Sequence, residues 1–412
     1  MNRRLSILFF ALLLSLACKS NLSAQGDPLA WIDDRLFYES PDGRIAADFS
    51  GHVDLEGYAW NGQPQGLLFE RDDFFNPRLS LFADVELGES IYIFTQARYD
   101  RGFDPGAQVN DFRFDEYFIR FTPPEHQRLS LQFGKSATIF GNWVERHFTW
   151  QNPFITAPLP YENVTIITDH LGPGGPAAFL GRLNVADNKP AWVPIIWGPA
   201  YTSGGTVFYS LDRLHFAASV KNNSISSRPK FWDAVNQGWG HPTYTTHLGF
   251  TPNAAWDVGS SFSYGPYLVS GAELFPTFPA GYDRGSFNQI TLGTDVRYSW
   301  RHFELWSELI LSRFQVPNVG NADTLSWYVE TRYKFTPKLF AGLRWNQQLF
   351  DSVPDGLGGH RHWDRNLHRL DTSLGYRFTR NITAKVQHSL NLESNNSGQA
   401  ENLFAGQLTL KF

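Results

Sequence analysis

Apolar and polar residues alternate strictly over the last third of the chain. In 325–335, Leu325 and Trp327 share one face with the later apolar residues, while Glu330 lies on the other face. The same period of two recurs in 338–349, 369–378, 382–392 and 404–412. This period predicts β-strands. Segments of about ten residues exceed the ~5–6 usual for globular strands and match the ~9–11 that a tilted strand needs to cross a bilayer.

The same pattern, followed through the whole chain, predicts sixteen strands. They lie at 44–58, 77–87, 90–100, 112–122, 127–135, 204–211, 213–221, 244–252, 255–264, 285–299, 302–314, 324–336, 338–350, 366–379, 381–393 and 401–412. Short connections alternate with long ones, which are 59–76, 136–203, 222–243, 265–284 and 351–365. Short turns on one side and long loops on the other are typical of transmembrane barrels. We therefore predict an all-β fold, an antiparallel up-and-down barrel over 44–412, with both chain ends on the short-turn side.

Residues 1–24 have the pattern of a secretory signal peptide. Two arginines precede the apolar run 5–16, and small residues end the segment. The single Cys18 and the single Met1 both fall in this leader. The mature chain would therefore have no disulfide, no thiol nucleophile and no Cys-bound metal. Residues 25–43 alternate only weakly, and we expect a short periplasmic segment before the barrel.

Composition supports the barrel and removes other classes of protein. The chain has 412 residues and a formal net charge of -5, which argues against a general nucleic-acid binder. Aromatic residues make up 16% although hydrophobic residues make up only 42%. Strands that alternate apolar-out with polar-in produce this mixture. A soluble all-β protein could have the same composition, so the length of the strands decides in favour of the membrane barrel.

The end of the chain resembles a known signature. The segment 405–412, Ala-Gly-Gln-Leu-Thr-Leu-Lys-Phe, resembles the C-terminal signature of bacterial outer-membrane β-barrel proteins, in which alternating apolar residues end in an aromatic. The strand pattern extends this resemblance over 44–412, and the strand number resembles that of porins. A second likeness lies in 129–135, Leu-Ser-Leu-Gln-Phe-Gly-Lys, followed by Phe140-Gly141. It is similar to the strand-to-loop step of the phosphate-selective and carbohydrate porins.

The resemblance implies a location and a function. It implies a barrel in the outer membrane of a Gram-negative bacterium, surrounded by lipid, that lets small hydrophilic solutes or ions diffuse passively. It also implies that the barrel assembly machinery recognises Phe412. A homotrimer fits a sixteen-stranded porin, although the sequence has no signature for it. No cofactor and no enzymatic activity are implied. The alternative is a non-conducting barrel that binds or anchors a surface polysaccharide.

Charged residues recur in the strands on the face opposite the aliphatic residues, and we expect them to face the lumen. Rings of charge in a pore tune its ion selectivity. The candidates for pore-lining residues are Arg98, Glu116, Arg120, Glu304, Glu308, Glu330, Arg332, Arg344, Arg369, Asp371, Arg377 and Lys385. The alternative is an interior network of salt bridges that fills the barrel. Sixteen strands normally leave room for an aqueous channel, which favours the pore.

The longest connection, 136–203, is a candidate for the constriction. A loop of this length is uncommon and usually functional, and its content of Pro, Trp and Tyr indicates that it is folded. We expect it to fold into the lumen, with Glu145, Arg146, His147 and Glu162 as charged or titratable residues at the narrowest point. The alternative is an extracellular cap that packs on the other loops.

Two further motifs contain residue types that occur in metal sites and active sites. His360 and His362 form a His-x-His pair that could bind a metal, but no third ligand follows from the spacing, so a solvated loop is favoured. His388 and Ser389 are adjacent in a strand, where successive side chains point to opposite faces. The sequence has no Gly-x-Ser-x-Gly motif of a hydrolase. We expect neither a metal site nor an active site.

Overall fold

The computed structural model describes residues 35–69, 73–102, 104, 109–393 and 400–412. Its strands are β1 (Phe37–Glu39), β2 (Ile45–Trp60), β3 (Phe74–Leu87), β4 (Ile91–Asp100), β5 (Asp111–Phe121), β6 (Leu129–Ser136), β7 (Thr165–Thr168), β8 (Trp192–Val193), β9 (Thr202–Leu211), β10 (Leu214–Lys221), β11 (Thr243–Asn253), β12 (Trp256–Pro266), β13 (Asn288–Trp300), β14 (Phe303–Val316), β15 (Gly320–Lys334), β16 (Leu339–Phe350), β17 (Ser352–Pro354), β18 (His360–His362), β19 (Leu367–Arg377), β20 (Ile382–Glu393) and β21 (Glu401–Lys411). The signal peptide predicted at 1–24 and most of the segment predicted at 25–43 lie outside the described residues.

Sixteen of these strands form a closed antiparallel barrel in the described part of the chain. They are β2–β6, β9–β16 and β19–β21, and each pairs with the next. The barrel closes where β2 pairs with β21, with Val53 opposite Leu410. At the seam the Phe412 amide donates to the Gly51 carbonyl at 2.9 Å, and the Gly51 amide donates to the Phe412 carbonyl at 2.8 Å. The Phe412 ring covers Gly51, where a Cβ would come within 2.8 Å of it.

The prediction of an all-β barrel is confirmed, and every predicted strand overlaps an observed one. The largest difference in a connection lies between β14 and β15. These strands continue to Val316 and from Gly320, so only a tight turn joins them on the side of the long loops. Asn318 adopts a positive φ of 61° in that turn, a conformation that asparagine tolerates better than most residues. The alternation of short and long connections therefore has this exception.

The two faces of the strands differ as their alternation predicts. Leu309, Leu311 and Leu343 face outward and are 45%, 51% and 52% exposed. Charged residues between them, such as Glu308 and Arg344, face inward and are buried. The outward surface is thus apolar and the inward surface polar, as a lipid-facing barrel requires. No helix in the described residues is long and apolar enough to span a membrane.

The loops at the long-loop end hold most of the remaining structure. The helices are α1 (Leu159–Glu162) and α2 (Pro176–Gly181), and short 3-10 turns lie at Val144–Arg146, Arg182–Asn184, Ala186–Ala191, Pro229–Phe231, Ala272–Leu274 and Arg284–Ser286. Apolar side chains from several loops pack with the ends of the strands into one cluster. Its largest members include Phe179, Phe314 and Trp363, all fully buried. The connection between β6 and β9, residues 137–201, contributes to this cluster and also enters the barrel; it is called the lumen loop below.

Candidate functional site

Two buried charges hold the ends of the lumen loop against the barrel wall. The Glu116 carboxylate on β5 accepts a hydrogen bond from the Ala137 amide at 2.7 Å. The Lys221 ammonium on β10 donates to the Ser136 hydroxyl at 2.6 Å and to the Thr202 carbonyl at 3.0 Å. Each end of the lumen loop is thus fixed to the strand next to the one it leaves or enters, and both ends lie on the inner face of the barrel.

The first part of the loop is held by Glu308, which lies on the inner face of β14. Its carboxylate accepts hydrogen bonds from the Asn142 amide at 2.6 Å and the Trp143 amide at 2.8 Å. It also accepts the Tyr161 hydroxyl at 2.6 Å. Burial raises the pKa of Tyr161 well above its ordinary value, which keeps this hydroxyl protonated as a donor. One carboxylate thus joins two distant parts of the loop to the wall.

Arginines on β16 and β19 hold the middle of the loop. Arg344 donates to the Thr156 carbonyl at 3.2 Å and pairs with Glu330 at 3.2 Å and with Asp371 at 2.8 Å. Arg369 pairs with Asp371 at 3.2 Å. Arg369 also binds the Glu162 carboxylate and the Ala157 carbonyl of the loop. Charged hydrogen bonds of this kind are about twice as strong as neutral ones.

Lys385 on β20 binds residues 149–154 of the lumen loop through their backbone carbonyl oxygens. Its ammonium donates to the carbonyls of Thr149 at 2.7 Å, Asn152 at 3.0 Å and Phe154 at 3.2 Å. Next to it, the Gln387 side chain accepts the Ile155 amide at 2.6 Å. The three N–H donors of the Lys385 ammonium therefore hold residues 149–154 in place around it.

These contacts place most of the predicted pore-lining charges beneath the loop. Glu308, Glu330, Arg344, Arg369 and Asp371 face inward as expected, but each is at most 1% exposed. The sequence pattern could not show this burial, because the loop that covers them comes from a part of the chain far away in sequence. The inner faces of β14, β15, β16, β19 and β20 are called the packed wall below.

The predicted constriction residues have different surroundings. Arg146 pairs with Glu330 and stacks over Trp306, with its guanidinium carbon 4.5 Å from the ring centre. Glu145 is exposed. Glu162 binds Arg369, as described above. Only His147 and Glu162 of the four border the cavity described below.

Two contacts and burial set the state of the His147 ring. Its Nδ1 contacts the Val144 carbonyl, which can only accept, so Nδ1 carries the proton. Its Nε2 then accepts the Tyr201 hydroxyl at 2.6 Å. Burial lowers the pKa of His147 to about 3, in agreement with this hydrogen-bond pattern. The imidazole therefore adds no positive charge to the loop at neutral pH.

A cavity of about 340 Å³ remains between the loop and the opposite side of the barrel. This side consists of the inner faces of β2–β6 and is called the open wall below. Arg78, Arg98 and Arg113 lie along it and border the cavity. Arg98 pairs with Asp115 at 2.9 Å, and Arg113 pairs with Asp115 at 2.9 Å. Of the predicted pore-lining residues, Arg98 alone borders this cavity in the described residues.

Sequence reasoning missed Arg78 and Arg113. Arg78 has the same parity as the inward residues of β3, so the alternation contained a signal for it. Arg113 differs, because a β-bulge lies between it and Arg120 on the same strand. A bulge adds one residue to the strand, so residues before it alternate between the two faces out of step with residues after it. The bulge also turns Asp115 and Glu116 inward together, where both are buried.

The remaining predicted pore-lining residues lie toward the short-turn end. Arg332 pairs with Glu304 at 2.5 Å. Arg377 lies over the Trp150 ring of the loop, 5.8 Å from its centre. Arg120 donates to the Gln132 side chain at 2.7 Å. These side chains are only partly buried, unlike those of the packed wall.

The residues of the His-x-His pair and of the His-Ser pair make ordinary structural contacts. His360 and His362 lie exposed on β18, and no group of three potential ligands is found among the described residues. His388 faces outward and stacks on Phe404, with ring centres 4.6 Å apart, whereas Ser389 is fully buried. The two side chains lie on opposite faces of β20, as the alternation predicts.

Ser261 contacts a histidine inside the lumen. Ser261 Oγ lies 2.9 Å from His247 Nδ1, and it also accepts the Gly141 amide of the lumen loop at 3.0 Å. Asp295 lies 3.9 Å from the same Nδ1 atom. A hydrolytic triad needs the carboxylate and the serine on different ring nitrogens. The contact therefore holds the loop and lacks the geometry of a triad.

Several solved structures are similar to this fold. The barrel is similar to OmpF of Salmonella typhi in complex with daunomycin, with a TM-score of 0.57 and 13% identity over 91% of this chain and 100% of that one. It is similar to an anion-selective porin from Comamonas acidovorans, with a TM-score of 0.55 and 8% identity over 89% and 100%. The outer membrane channel DcaP of Acinetobacter baumannii gives 0.54 and 11% over 91% and 99%.

The chain has a porin-like fold. Identities this low show the shared architecture and nothing further about activity. No protein-family model and no curated protein sequence matches the chain. The function therefore has to be argued from the geometry of the lumen.

Proposed function

We propose that this protein is an outer-membrane channel for the passive diffusion of small hydrophilic solutes or ions, narrowed by the lumen loop. The observation that carries the proposal is the uneven attachment of the loop: the packed wall holds it through many buried charges, and the open wall through fewer contacts, such as Glu116 with Ala137 and Phe82 with Phe148. Buried charges bind it to the packed wall, and the cavity of about 340 Å³ lies between it and the open wall. A rigid loop on one side of a polar lumen narrows a path without filling it.

Location and assembly form part of the same proposal. The leader at 1–24, the apolar outer surface and the similarity to outer-membrane barrels support insertion into the outer membrane of a Gram-negative bacterium. The terminal Phe412 is the proposed recognition residue for the barrel assembly machinery. One similar structure, OmpT of Vibrio cholerae, is described as a trimer form, which supports a homotrimer here. We propose no enzymatic role and no cofactor.

The alternative, a barrel that does not conduct and anchors a surface polysaccharide, also has an observation in its favour. The loops at the long-loop end pack into one apolar cluster, and Asp364 in the 351–366 connection accepts the Ile166 amide of the lumen loop at 2.9 Å. Loops joined in this way could cover the mouth of the barrel. The two functions differ in whether ions pass.

The test is the conductance of the purified mature protein in a planar bilayer, with folding checked by heat-modifiable gel mobility. We expect discrete, steady current steps. Deletion of 142–165 removes the part of the loop held by Glu308 and Arg344, so the lumen widens and the steps should become severalfold larger. A folded protein that never conducts would refute the channel and favour the polysaccharide anchor. Equal conductance with and without 142–165 would refute the constriction.

A further inference from the structure

The two walls of the cavity differ in chemistry. On the open wall, the guanidinium groups of Arg78, Arg98 and Arg113 border the space. On the loop side, the cavity is bordered by aromatic side chains, which include Trp143, Phe148, Phe154, Tyr161, Trp197 and Tyr201. A solute in the cavity therefore meets cations on one side and aromatic rings on the other.

The carboxylates that pair with the arginines of the open wall are less exposed than the arginines. The side chains of Arg98 and Arg113 are 14% and 26% exposed, whereas those of their partners Asp115 and Asp100 are 2% and 0% exposed. Arg78 is 10% exposed, and its partner Asp54 is fully buried. The acidic groups therefore orient the guanidinium groups. Asp115 also borders the cavity, as do Asp104 and Asp111, but within the pairs the guanidinium groups are the more exposed members.

The loop side is close to neutral where it faces the arginines. Burial lowers the pKa of His147 to about 3, so its imidazole adds no charge at neutral pH. Glu162 borders the cavity, but its carboxylate is bound to Arg369 of the packed wall. Most of the aromatic side chains that border the cavity are buried, and Arg344 already lies over the Phe154 ring. Phe148 is only partly buried, so it is the ring that a solute can reach for apolar and stacking contacts.

We infer that the cavity selects small organic anions that carry a flat apolar ring, of the class of aromatic monocarboxylates. The carboxylate would bind the guanidinium groups of Arg98 and Arg113, which match its planar geometry. The ring would pack against Phe148 of the loop. A volume of about 340 Å³ lies at the lower end of the ~300–1,000 Å³ of small-molecule sites. This inference rests on the proposed channel.

The test measures the interruption of single-channel current by four probes of related shape. Benzoate has both the anionic group and the ring, acetate has the anionic group alone, benzyl alcohol has the ring alone, and benzylammonium has the ring with the opposite charge. We expect benzoate to hold the channel blocked about tenfold longer than acetate or benzyl alcohol, since each group adds its own interaction. Benzylammonium should block least.

Variants separate the two walls. The double substitution R98Q/D115N keeps the net charge and leaves Arg113 paired with Asp100 at 2.7 Å; it should reduce benzoate binding about tenfold. F148L keeps an apolar side chain without the ring and should shorten the benzoate block about threefold. R313Q is the matched control, because Arg313 pairs with Asp323 on the exposed rim. It should behave as the unmodified protein.

The outcomes distinguish this inference from the proposed function. A folded protein without any current refutes the channel itself. A channel that conducts but is blocked equally by acetate and benzoate refutes the role of the aromatic side. A stronger block by benzylammonium shows that the carboxylates govern the cavity, and it overturns the assignment to anions. An unchanged benzoate block in R98Q/D115N overturns the role of the arginine.

Discussion

The packed wall and the open wall of the barrel use the same residue types for opposite purposes. Both carry arginines paired with carboxylates on neighbouring strands. On the packed wall, Arg344 and its partners Glu330 and Asp371 are fully buried, and the arginine also binds a carbonyl of the loop. On the open wall, Arg113 keeps 26% of its side chain exposed. An inward arginine therefore anchors the loop or borders water according to where the loop lies.

This difference also decides how much each charge matters for stability. Burying an ion pair costs nearly as much desolvation as the attraction returns, but removing one partner leaves an uncompensated charge. The packed wall is therefore sensitive to single substitutions. The open wall is less sensitive, because its arginines keep part of their side chains exposed, although their carboxylate partners are buried.

The largest expected effect comes from Arg344. Substitution R344M leaves Glu330 and Asp371 buried with one partner fewer, and it should lower the free energy of unfolding by about 3 kcal/mol. The measurement is urea unfolding in lipid vesicles, followed by gel mobility. The matched change on the open wall, R113M, also takes one partner from two buried carboxylates, Asp100 and Asp115, but 26% of the arginine side chain is exposed; we expect a smaller loss of about 2 kcal/mol. Equal losses would show that the two walls do not differ in this way.

An intermediate effect is expected from Lys385, which binds three carbonyl oxygens of the loop. K385M removes these bonds, so residues 149–154 lose their attachment; we expect a loss of about 2 kcal/mol, noisier current and faster cleavage there by chymotrypsin. Limited proteolysis and current recordings measure both changes. K334M is the control, since Lys334 is 38% exposed and contacts only Glu304 among the described groups, at 3.4 Å. Identical noise in both variants would contradict this role of Lys385.

The smallest effect concerns pH and His147, which lies on the boundary between the loop and the cavity. Burial lowers its pKa to about 3 from an ordinary 6.5. The unfolded chain therefore takes up a proton first as the pH falls, and the stability from neutral His147 is complete above pH 6.5 and decreases toward pH 3. The loss at pH 5, which is about 1.5 pH units below the ordinary pKa of 6.5, should be at most about 2 kcal/mol. H147Q should lack this part of the pH dependence, as unfolding at pH 7.5 and pH 5 can show.

Much of the fold followed from alternation alone. A period of two specifies both the strand and the face of each side chain, so the inward position of Glu308 and Arg344 needed no knowledge of the rest of the chain. Prediction failed at Arg113, where a bulge reverses the parity. It also did not separate buried inward charges from those beside the cavity.

The sequence by itself determined the number of strands, their direction, the outward apolar surface and the presence of one long internal connection. These properties depend on neighbouring residues, whose spacing is written in the chain. Only the tertiary structure decided which wall the lumen loop binds. That choice depends on contacts such as Arg369 with Glu162, which lie far apart in sequence and meet only in the folded barrel.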